Sequence, residues 1–263
     1  MNRLDNKVVL ITGGSSGLGE QIAYESARQG ATVIVCARRE HELISVCRRC
    51  EELSGNQAYY YELNIAQPER IEEVCQEIFM AFPKVDILVN NAGFGLFRDF
   101  LEFDMATAEQ MFRVNVLGLM YMTQKIALKM AEEGQGHIIN IASQAAKMAT
   151  TKSTIYSATK FAVLGFSNAL RLELKPLNIY VTTVNPGPIE TNFFNIADES
   201  GNYLKSVDAF VLDPVKLSRK IVNCFNRPKR EINAPGIMEV ASKMYTLFPH
   251  IGDILAASIF NRK

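Results

Sequence analysis

The sequence shows no excess of charge of either sign. Lysine and arginine number 28, and aspartate and glutamate also number 28, in a chain of 263 residues. The basic residues are scattered, with small clusters such as Arg38-Arg39 and Lys229-Arg230. Proteins that bind nucleic acid carry a basic patch or stripe. The composition therefore excludes nucleic acid as the expected partner.

Cysteine is scarce as well. The five cysteines are an odd number, and Cys47 and Cys50 form the one close pair; the others are Cys36, Cys75 and Cys224. A structural zinc site needs a second pair of cysteines or histidines, which the sequence does not supply. We therefore expect no metal site, and we expect reduced thiols in a cytoplasmic protein.

Long apolar runs are also missing. The amino-terminal segment has only a short apolar run before Thr12 and no small-residue cleavage site, so no signal peptide is expected. No stretch reaches the roughly 18 apolar residues of a membrane span. No internal repeat or low-complexity linker divides the chain, so we expect a single domain over residues 1–263.

What the sequence does contain is a regular alternation of two patterns. Short apolar runs rich in β-branched residues alternate with longer segments in which apolar residues recur at helical spacing. The predicted strands are 8–12, 32–36, 58–63, 86–90, 137–142, 180–185 and 231–233. The predicted helices are 17–29, 40–54, 68–81, 107–133, 154–174 and 214–225. This order predicts an α/β fold, with a doubly wound parallel sheet of about seven strands and helices on both faces.

A glycine-rich turn connects the first strand to the first helix. It reads TGGSSGLG over residues 12–19, with the spacing Gly13-x3-Gly17-x-Gly19. A turn without large side chains lets a phosphate group approach the backbone, and the N–H groups that begin a helix face that phosphate. In a doubly wound sheet, ligands bind at the carboxyl ends of the strands. The turn therefore indicates a nucleotide site, although a tight turn without a ligand could contain the same glycines.

Four further stretches fall where that crevice is expected. They are NNAG at 90–93, Asn115 in RVNVLG, Ser143 in NIASQAA, and Tyr156 with Lys160 in YSATK. With the glycine turn, they give the sequence a resemblance to the classical short-chain dehydrogenase/reductase family over nearly its whole length. The resemblance implies a Rossmann-like fold, a nicotinamide dinucleotide cofactor, and interconversion of a carbonyl and a secondary alcohol by hydride transfer.

Tyr156 and Lys160 lie one helical turn apart, so their side chains share one face of the predicted helix. The resemblance implies that Tyr156 is the general acid and base. A free phenol has a pKa of about 10, so a base that acts near neutral pH needs a cation beside it. The ammonium group of Lys160 meets that need and, by the resemblance, also binds the nicotinamide ribose. The same spacing occurs by chance on many amphipathic helices.

Ser143 resembles the residue that polarises the substrate oxygen, and Asn115 resembles the residue that holds a water molecule in a proton path to solvent. Taken singly, Ser143 could cap a strand end and Asn115 could satisfy a buried backbone group. The histidines are His41, His137 and His250. We expect all three to be structural or surface residues.

The resemblance also assigns the residues that contact the dinucleotide. They are Gly13, Ser15, Ser16, Gly17, Leu18, Gly19, Arg38, Arg39, Asn64, Ile65, Asn91, Ala92, Gly93, Tyr156, Lys160, Pro186, Gly187, Ile189 and Thr191. Asn64 departs from the family pattern, in which an aspartate meets the adenine, but an asparagine can donate or accept there. The stretch NPGPIET at 185–191 could equally mark an ordinary turn.

The residues after the second strand predict NADP as the cofactor, with NAD less favoured. An NAD enzyme typically places an acidic residue there, which binds the ribose hydroxyls and repels a 2′-phosphate. Ala37 stands at that position and Arg38 and Arg39 follow. By the resemblance, Arg38 is the expected contact, with Ser15 as a second donor. The alternative is that the arginines point into solvent from the start of the next helix.

Two segments outside the motifs are expected to shape the substrate site. The loop at about 190–212 corresponds to the variable substrate loop of the family, and Phe193, Phe194 and Phe210 would suit an apolar substrate or pack in the core. The segment 234–263 is apolar at near-helical spacing, and its internal proline predicts two short helices. This tail could pack on its own domain, contact another subunit, cover the substrate, or lie on a membrane surface.

These features predict an NADP(H)-dependent oxidoreductase with an apolar small-molecule carbonyl or alcohol as substrate. The family pairs the 107–133 and 154–174 helices between subunits, so the resemblance implies a homodimer or homotetramer. One alternative is a non-catalytic nucleotide-binding regulator on the same fold, against which Ser143, Tyr156 and Lys160 argue. The other is a membrane-associated lipid carbonyl reductase anchored through the tail, although membrane contact is not favoured.

Overall fold

The computed structural model describes residues 3–198 and 207–259, with side chains as far as residue 254. Within these residues, seven strands form one parallel sheet in the order β3-β2-β1-β4-β5-β6-β7. The strands are β1 (Val8–Thr12), β2 (Thr32–Ala37), β3 (Tyr59–Glu62), β4 (Ile87–Asn90), β5 (Gly136–Ile141), β6 (Ile179–Pro186) and β7 (Glu231–Ala234). The strand order reverses between β1 and β4, which opens a crevice at the carboxyl ends of these strands. The predicted doubly wound sheet is confirmed.

Helices cover both faces of the sheet. In chain order they are α1 (Gly17–Arg28), α2 (Glu40–Ser54), α3 (Pro68–Ala81), α4 (Met105–Phe112), α5 (Leu119–Glu132), α6 (Thr154–Leu174), α7 (Phe193–Ala197), α8 (Pro214–Val222), α9 (Gly236–Leu247) and α10 (Pro249–Ile259). Helices α1, α2 and α8 pack in one apolar layer. Helices α3, α5 and α6 pack in the layer on the opposite face.

Burial explains why the strands read as continuous apolar runs. All five residues of β1 are buried, because β1 lies in the middle of the sheet with helices on both sides.

Aspartates begin two of the helices. Asp104 caps α4 and Asp213 caps α8, and each carboxylate accepts two backbone N–H groups from the first turn.

The helix predicted over 107–133 is wrong in two respects. It begins earlier, at Met105, because Asp104 supplies the cap. It is also interrupted by a π-helical segment, Arg113–Gly118, before α5 continues. A π-helical turn inserts one residue into the helical repeat and often marks a functional site. Here it contains Asn115, one of the predicted catalytic residues.

Helix α8 is shorter than the predicted 214–225 helix. It ends at Val222, and the Arg3 guanidinium donates to the carbonyl oxygens of Val222 (2.5 Å) and Phe225 (3.2 Å). Those carbonyls therefore find a partner outside a helix. In the predicted substrate loop, residues 199–206 lie outside the described residues, as do residues 260–263 of the tail. The predicted break at Pro249 is confirmed, because it begins α10 directly after α9.

All five cysteines are buried and unpaired with one another. Burial raises the pKa of Cys50 and Cys75 to about 12, so both stay protonated thiols at neutral pH. None of the helices in the described ranges is both long and apolar enough to span a bilayer.

Candidate active site

A cavity of about 840 Å³ opens at the carboxyl ends of the strands, where the strand order reverses. The glycine turn after β1 forms one end of its wall. The segments that follow β2, β4, β5 and β6 form the middle, and α6, α7, α9 and α10 form the rest. The predicted crevice is therefore a real cavity, and it is long enough to involve both the cofactor and the substrate regions of the sequence.

The glycine turn has the shape of a phosphate cradle. Gly13 and Gly17 have φ angles of +65° and +60°, which residues with a Cβ rarely adopt. A Cβ on Gly13 would lie 2.7 Å from the Cα of Ala92, and one on Gly17 would lie 3.4 Å from Thr191. Ser15 to Leu18 line the cavity where α1 begins. The turn therefore leaves backbone N–H groups and a positive helix end facing the cavity, which fits a dinucleotide pyrophosphate.

Gly19 and Asn91 support this turn from behind. A Cβ on Gly19 would lie 2.4 Å from the carbonyl oxygen of Gly13, so Gly19 allows the helix to pack against the turn, and it does not line the cavity. The Asn91 amide donates to the carbonyl oxygens of Thr12 (3.1 Å) and Gly13 (3.0 Å). Asn91 thus fixes the turn, while Ala92 and Gly93 extend along the cavity wall.

Both arginines after β2 line the cavity beside the glycine turn, and Asn64 and Ile65 after β3 line it as well. Both are predicted cofactor contacts, with Arg38 as the expected contact to the 2′-phosphate. The Arg39 guanidinium donates to the hydroxyl oxygens of Ser15 (3.1 Å) and Ser16 (3.0 Å) and lies 3.3 Å from the Glu42 carboxylate. The structure therefore brings Arg39, rather than Arg38, onto the glycine turn.

Tyr156 and Lys160 lie on α6 and face the cavity from the same side. Only 6% of Lys160 is exposed, and its ammonium donates to the carbonyl oxygen of Ile141 at 3.0 Å. Its Nζ lies 5.7 Å from the centre of the Tyr156 ring. Burial lowers the pKa of Lys160 from 10.5 to about 8, because the ammonium loses its water shell. The cation needed beside the phenol is thus present.

Aromatic rings hold the Tyr156 side chain in place. The Phe97 ring packs edge-on at a centroid distance of 5.9 Å, and the Phe193 ring packs at 5.7 Å. Gly95 passes directly beneath, and a Cβ there would lie 2.9 Å from both Tyr156 Cδ2 and Phe193 Cζ. Gly95 is a site residue that the sequence analysis missed. The NNAGFG stretch contains it, but only the folded chain brings it against Tyr156.

Ser143 lies two residues after the end of β5 and begins a short turn over residues 143–148 that lines the cavity. The Ser143 hydroxyl oxygen accepts the backbone N–H of Ala145 at 3.0 Å. Because that bond uses an oxygen lone pair, the hydroxyl proton remains available to a substrate oxygen. The geometry therefore suits Ser143 as a hydrogen-bond donor to a carbonyl.

Asn115 lies behind the cavity wall and does not line it. Its amide nitrogen donates to the carbonyl oxygen of Phe94 (2.8 Å) and to Thr159 Oγ1 (3.1 Å), and its Oδ1 accepts the Phe94 N–H (2.9 Å). A Cβ on Gly93 would lie 3.1 Å from Asn115 Oδ1 and 3.7 Å from Lys160 Nζ. The Asn115 side chain therefore ties the π-helical segment to the loop after β4, close to Lys160.

The segment after β6 brings Pro186, Gly187, Ile189 and Thr191 to the cavity, as predicted. The N–H of Gly187 donates to the carbonyl oxygen of Ala234 at 2.6 Å, which fixes this segment to β7. It lies between the glycine turn and the Ser143 turn.

The remaining wall is apolar. The lining residues there share large hydrophobic or aromatic side chains: Phe94, Phe97, Met148, Phe193, Phe194, Ile196, Met238, Met244, Tyr245, Phe248 and Ile251. Phe193 and Phe194 thus face the cavity, whereas Phe210 lies outside it. Of the alternatives left open for the tail, packing on its own domain is observed, because α9 and α10 form a wall of the cavity.

The histidines and candidate metal ligands take no part in the site. His137 is fully buried and contacts Thr182 Oγ1 (2.8 Å) and the Asn226 N–H (3.0 Å), and burial lowers its pKa to about 3. His41 and His250 are exposed. In residues 3–198 and 207–259, no group of three or more histidine, cysteine or acidic side chains could hold a metal ion.

Comparison with known proteins agrees with this geometry. The sequence profile of the short chain dehydrogenase family, adh_short, matches residues 7–200. The Dehydrogenase/reductase SDR family protein 7-like of Drosophila melanogaster is 35% identical over 238 residues, which cover 88% of this chain and 73% of that protein. The 3-ketodihydrosphingosine reductase of Bos taurus is 32% identical over 221 residues, covering 81% of this chain and 67% of that protein.

A solved structure extends the agreement to the fold. A short-chain dehydrogenase from Sphingobium yanoikuyae, in complex with NADPH, is 26% identical and superposes with a TM-score of 0.81 over 95% of each chain. The chain belongs to the short-chain dehydrogenase/reductase family and is an NAD(P)-dependent oxidoreductase.

Proposed function

We propose that the protein is an NADP(H)-dependent oxidoreductase that interconverts an apolar carbonyl compound and its secondary alcohol. One observation carries this proposal: Ser143, Tyr156 and Lys160 face a single cavity that begins at the glycine turn and ends in an apolar wall. Each residue alone has an ordinary structural explanation. Their convergence at the carboxyl ends of the strands supports catalysis.

The three side chains divide the chemistry between them. The Ser143 hydroxyl donates a hydrogen bond to the substrate oxygen, which stabilises the negative charge that develops there. The Tyr156 phenol gives its proton to that oxygen during reduction and takes it back during oxidation. The buried ammonium of Lys160 stabilises the phenolate that remains. When bound, the dinucleotide supplies or accepts the hydride, so one hydride and one proton complete the conversion.

The end of the cavity after β2 supports a preference for NADP(H). Ala37 offers no carboxylate to repel a 2′-phosphate, and Arg38 and Arg39 both line the wall. Arg39 already donates to Ser15 and Ser16, so two hydroxyls and a guanidinium lie together at the end of the glycine turn. The NADPH bound by the Sphingobium relative is consistent with this choice. A charge-assisted hydrogen bond of about 1.5–3 kcal/mol gives roughly ten- to hundredfold discrimination.

The coenzyme experiment compares kcat/KM for NADPH and NADH in the wild type, Arg38→Ala and Arg39→Ala. We expect NADPH to be favoured at least about tenfold, and Arg39→Ala to remove most of that margin. Arg48→Ala, on the exposed face of α2, is the matched control and should leave the ratio unchanged. Equal or better efficiency with NADH in the wild type would overturn the NADP(H) preference.

The apolar wall supports an uncharged substrate with a hydrocarbon body. Beyond the polar residues, the cavity is lined by the phenylalanines of the loop after β4 and of α7 and by the methionines of α9. Such a wall favours an apolar ligand, because burial contributes about 25 cal/mol for each Å² of apolar surface. The relative named 3-ketodihydrosphingosine reductase is consistent with a lipid ketone.

A second candidate is that the protein works at a lipid surface, and one observation favours it. Helices α9 and α10 line the cavity with one face and expose a second apolar face, on which Leu247 and Ile254 are each 68% exposed, with Ile237 (64%) and Val240 (61%) nearby. An exposed apolar stripe on a helix pair beside an apolar cavity fits contact with a bilayer that contains the substrate.

A further inference from the structure

The turn that carries Ser143 is attached to the edge of the sheet by a polar cluster that takes no part in the proposed chemistry. We call Lys147, Asn185, Glu231 and Asn233 the edge cluster. We propose that Lys147 and Glu231 are positioning residues that set the location of the Ser143 hydroxyl. This inference rests on the proposed function, because it assigns a purpose to a contact that acts through Ser143.

Lys147 is the centre of the edge cluster. Its ammonium contacts the Glu231 carboxylate and donates to Asn233 Oδ1 at 3.1 Å. The Asn185 amide nitrogen donates to Asn233 Oδ1 (2.9 Å) and to the Glu231 carboxylate (3.3 Å). The Asn233 amide adds a bond of 3.2 Å to the same carboxylate. One cation from the turn is therefore held by two side chains of β7, which Asn185 of β6 supports from behind.

The cluster lies largely out of solvent, so its geometry is well defined. The side chains of Lys147 and Glu231 are only 17% and 18% exposed, and Asn185 is fully buried. Burial raises the pKa of Glu231, but hydrogen bonds from Lys147 and Asn233, together with the charges of Lys147 and Arg230, bring that pKa below its ordinary value. A partly buried ion pair adds little net stability, because desolvation offsets the attraction. The ion pair does hold the backbone of the 143–148 turn at a fixed distance from the backbone of β7.

The position of Lys147 is linked to that of Ser143 by the hydrogen bonds of a short turn. The turn over residues 143–148 has internal backbone bonds from Ala146 to Ser143 and from Lys147 to Gln144. The Gln144 amide also donates to the backbone carbonyl of Asn185 at 2.8 Å. With the Ser143 hydroxyl bonded to the Ala145 N–H in the same turn, a shift of Lys147 moves the hydroxyl with it.

The test is a double-mutant cycle between Lys147→Met and Ser143→Ala, measured as kcat/KM for a ketone with NADPH. We expect Ser143→Ala alone to lower kcat/KM by about 10²–10³, the usual effect of one lost donor to a developing oxyanion. Lys147→Met alone should lower it by about 10- to 100-fold through misplacement. In the Ser143→Ala background, Lys147→Met should lower it by less than about threefold, because the group it positions is already gone.

Three further variants test whether Lys147 acts through its ion pair with Glu231. Glu231→Gln keeps the size and the amide bonds, removes the charge, and should reproduce most of the Lys147→Met loss, whereas Lys147→Arg should restore activity. Coenzyme affinity should change little in Lys147→Met, Glu231→Gln and Lys147→Arg. Loss of one partner of a partly buried pair lowers stability, so circular dichroism at the assay temperature should show that each variant is folded. Lys129→Met breaks the surface pair with Glu132 and serves as the control with unchanged kcat/KM.

The outcomes separate the two proposals. If Lys147→Met lowers kcat/KM equally in both backgrounds, its effect does not pass through Ser143 and the positioning role is overturned. If Ser143→Ala itself leaves kcat/KM unchanged, the proposed mechanism fails at Ser143, whatever Lys147 does.

Discussion

Burial of the Lys160 ammonium in the site lowers the stability of the folded protein. An ammonium buried beneath the cavity loses hydration, and its pKa falls from 10.5 to about 8. Between these two pH values the unfolded chain binds more protons than the folded chain, so this group makes stability increase with pH across that window. In the proposed mechanism the phenolate of Tyr156 needs a cation, which is a reason for keeping the charge where it destabilises the folded protein.

This gives a prediction about unfolding without coenzyme. The stability of the wild type relative to Lys160→Met should rise as the pH is raised from 8 to 10.5, by about 1.4 kcal/mol for each unit of pKa shift. Thermal unfolding at several pH values measures it, at about 2–4 °C per kcal/mol. Lys129→Met is the control, and a difference that stays constant with pH would show that Lys160 titrates normally.

Gly95 is the second residue-scale prediction. In Gly95→Ala the new Cβ would lie 2.9 Å from two aromatic rings, Tyr156 and Phe193, neither of which is a flexible chain end. We expect an overpacking loss of about 1–3 kcal/mol in unfolding free energy. The displaced phenol should also reduce kcat about tenfold or more.

Gly165→Ala is the matched control for Gly95→Ala. Gly165 lies on α6, and no atom lies within 4 Å of the point that an added methyl group would occupy. That change should stabilise the protein by about 0.5–1 kcal/mol, because alanine replaces glycine within a helix. Similar activity in both variants would contradict the packing of Gly95 against Tyr156.

Some functional residues could be predicted from the sequence and others could not. Helical spacing predicts that Tyr156 and Lys160 share one face, whereas their roles come from the resemblance to the family. The glycines follow from the tight turn between β1 and α1. The contact of Arg39 with Ser15 and Ser16 could not be predicted, because it depends on where the start of α2 directs the guanidinium. Gly95 and Lys147 were missed for a similar reason: their partners are distant in sequence and meet only in the folded chain.

At the scale of elements, α9 and α10 have two apolar faces with different surroundings. Met238, Ala241 and Tyr245 line the cavity, whereas Val240 and Leu247 are exposed and do not line it. The Tyr245 hydroxyl donates to Asp253 at 2.7 Å and so joins the two helices. Helical spacing in the sequence predicted both helices, but it could not tell which stripe faces the substrate.

Variants on the two faces should separate their functions. Ala241→Phe fills the cavity and should lower kcat/KM for long-chain ketones relative to short ones by about tenfold. Val240→Glu with Leu247→Glu should instead abolish flotation with phospholipid vesicles and leave the ranking of soluble ketones unchanged. Failure of the wild type to float would contradict the lipid-surface candidate, and an unchanged ranking in Ala241→Phe would remove α9 from substrate selection.

At the scale of the whole molecule, the reversal of strand order between β1 and β4 explains the location of every functional group. It separates the connections after β1 and β2 from those after β4, β5 and β6, and the cavity lies between them. The alternation of patterns predicted this topology well, because buried parallel strands and crossover helices have distinct sequence periods. The π-helical segment was not predicted, because one inserted residue barely disturbs an apolar period.

The outer surface of the molecule supports the expected oligomer. Leu117 in the π-helical segment, Tyr121 and Leu128 on α5, and Phe161 on α6 are all more than 40% exposed. Exposed apolar side chains on adjacent helices fit a contact between copies of the chain. We infer a homodimer or homotetramer formed through α5 and α6. Light scattering of the wild type and Phe161→Glu tests it, and a monomeric wild type would contradict it.

In the proposed function, a carbonyl compound and its alcohol are interconverted in this cavity, with Tyr156 as the acid and base. The most direct test follows oxidation of NADPH by an apolar ketone in the wild type and in Tyr156→Phe, with coenzyme binding measured separately by fluorescence. The account predicts that Tyr156→Phe binds NADPH nearly as well as the wild type but turns over about 10²–10⁴ times more slowly. Turnover within a few-fold of the wild type would contradict it.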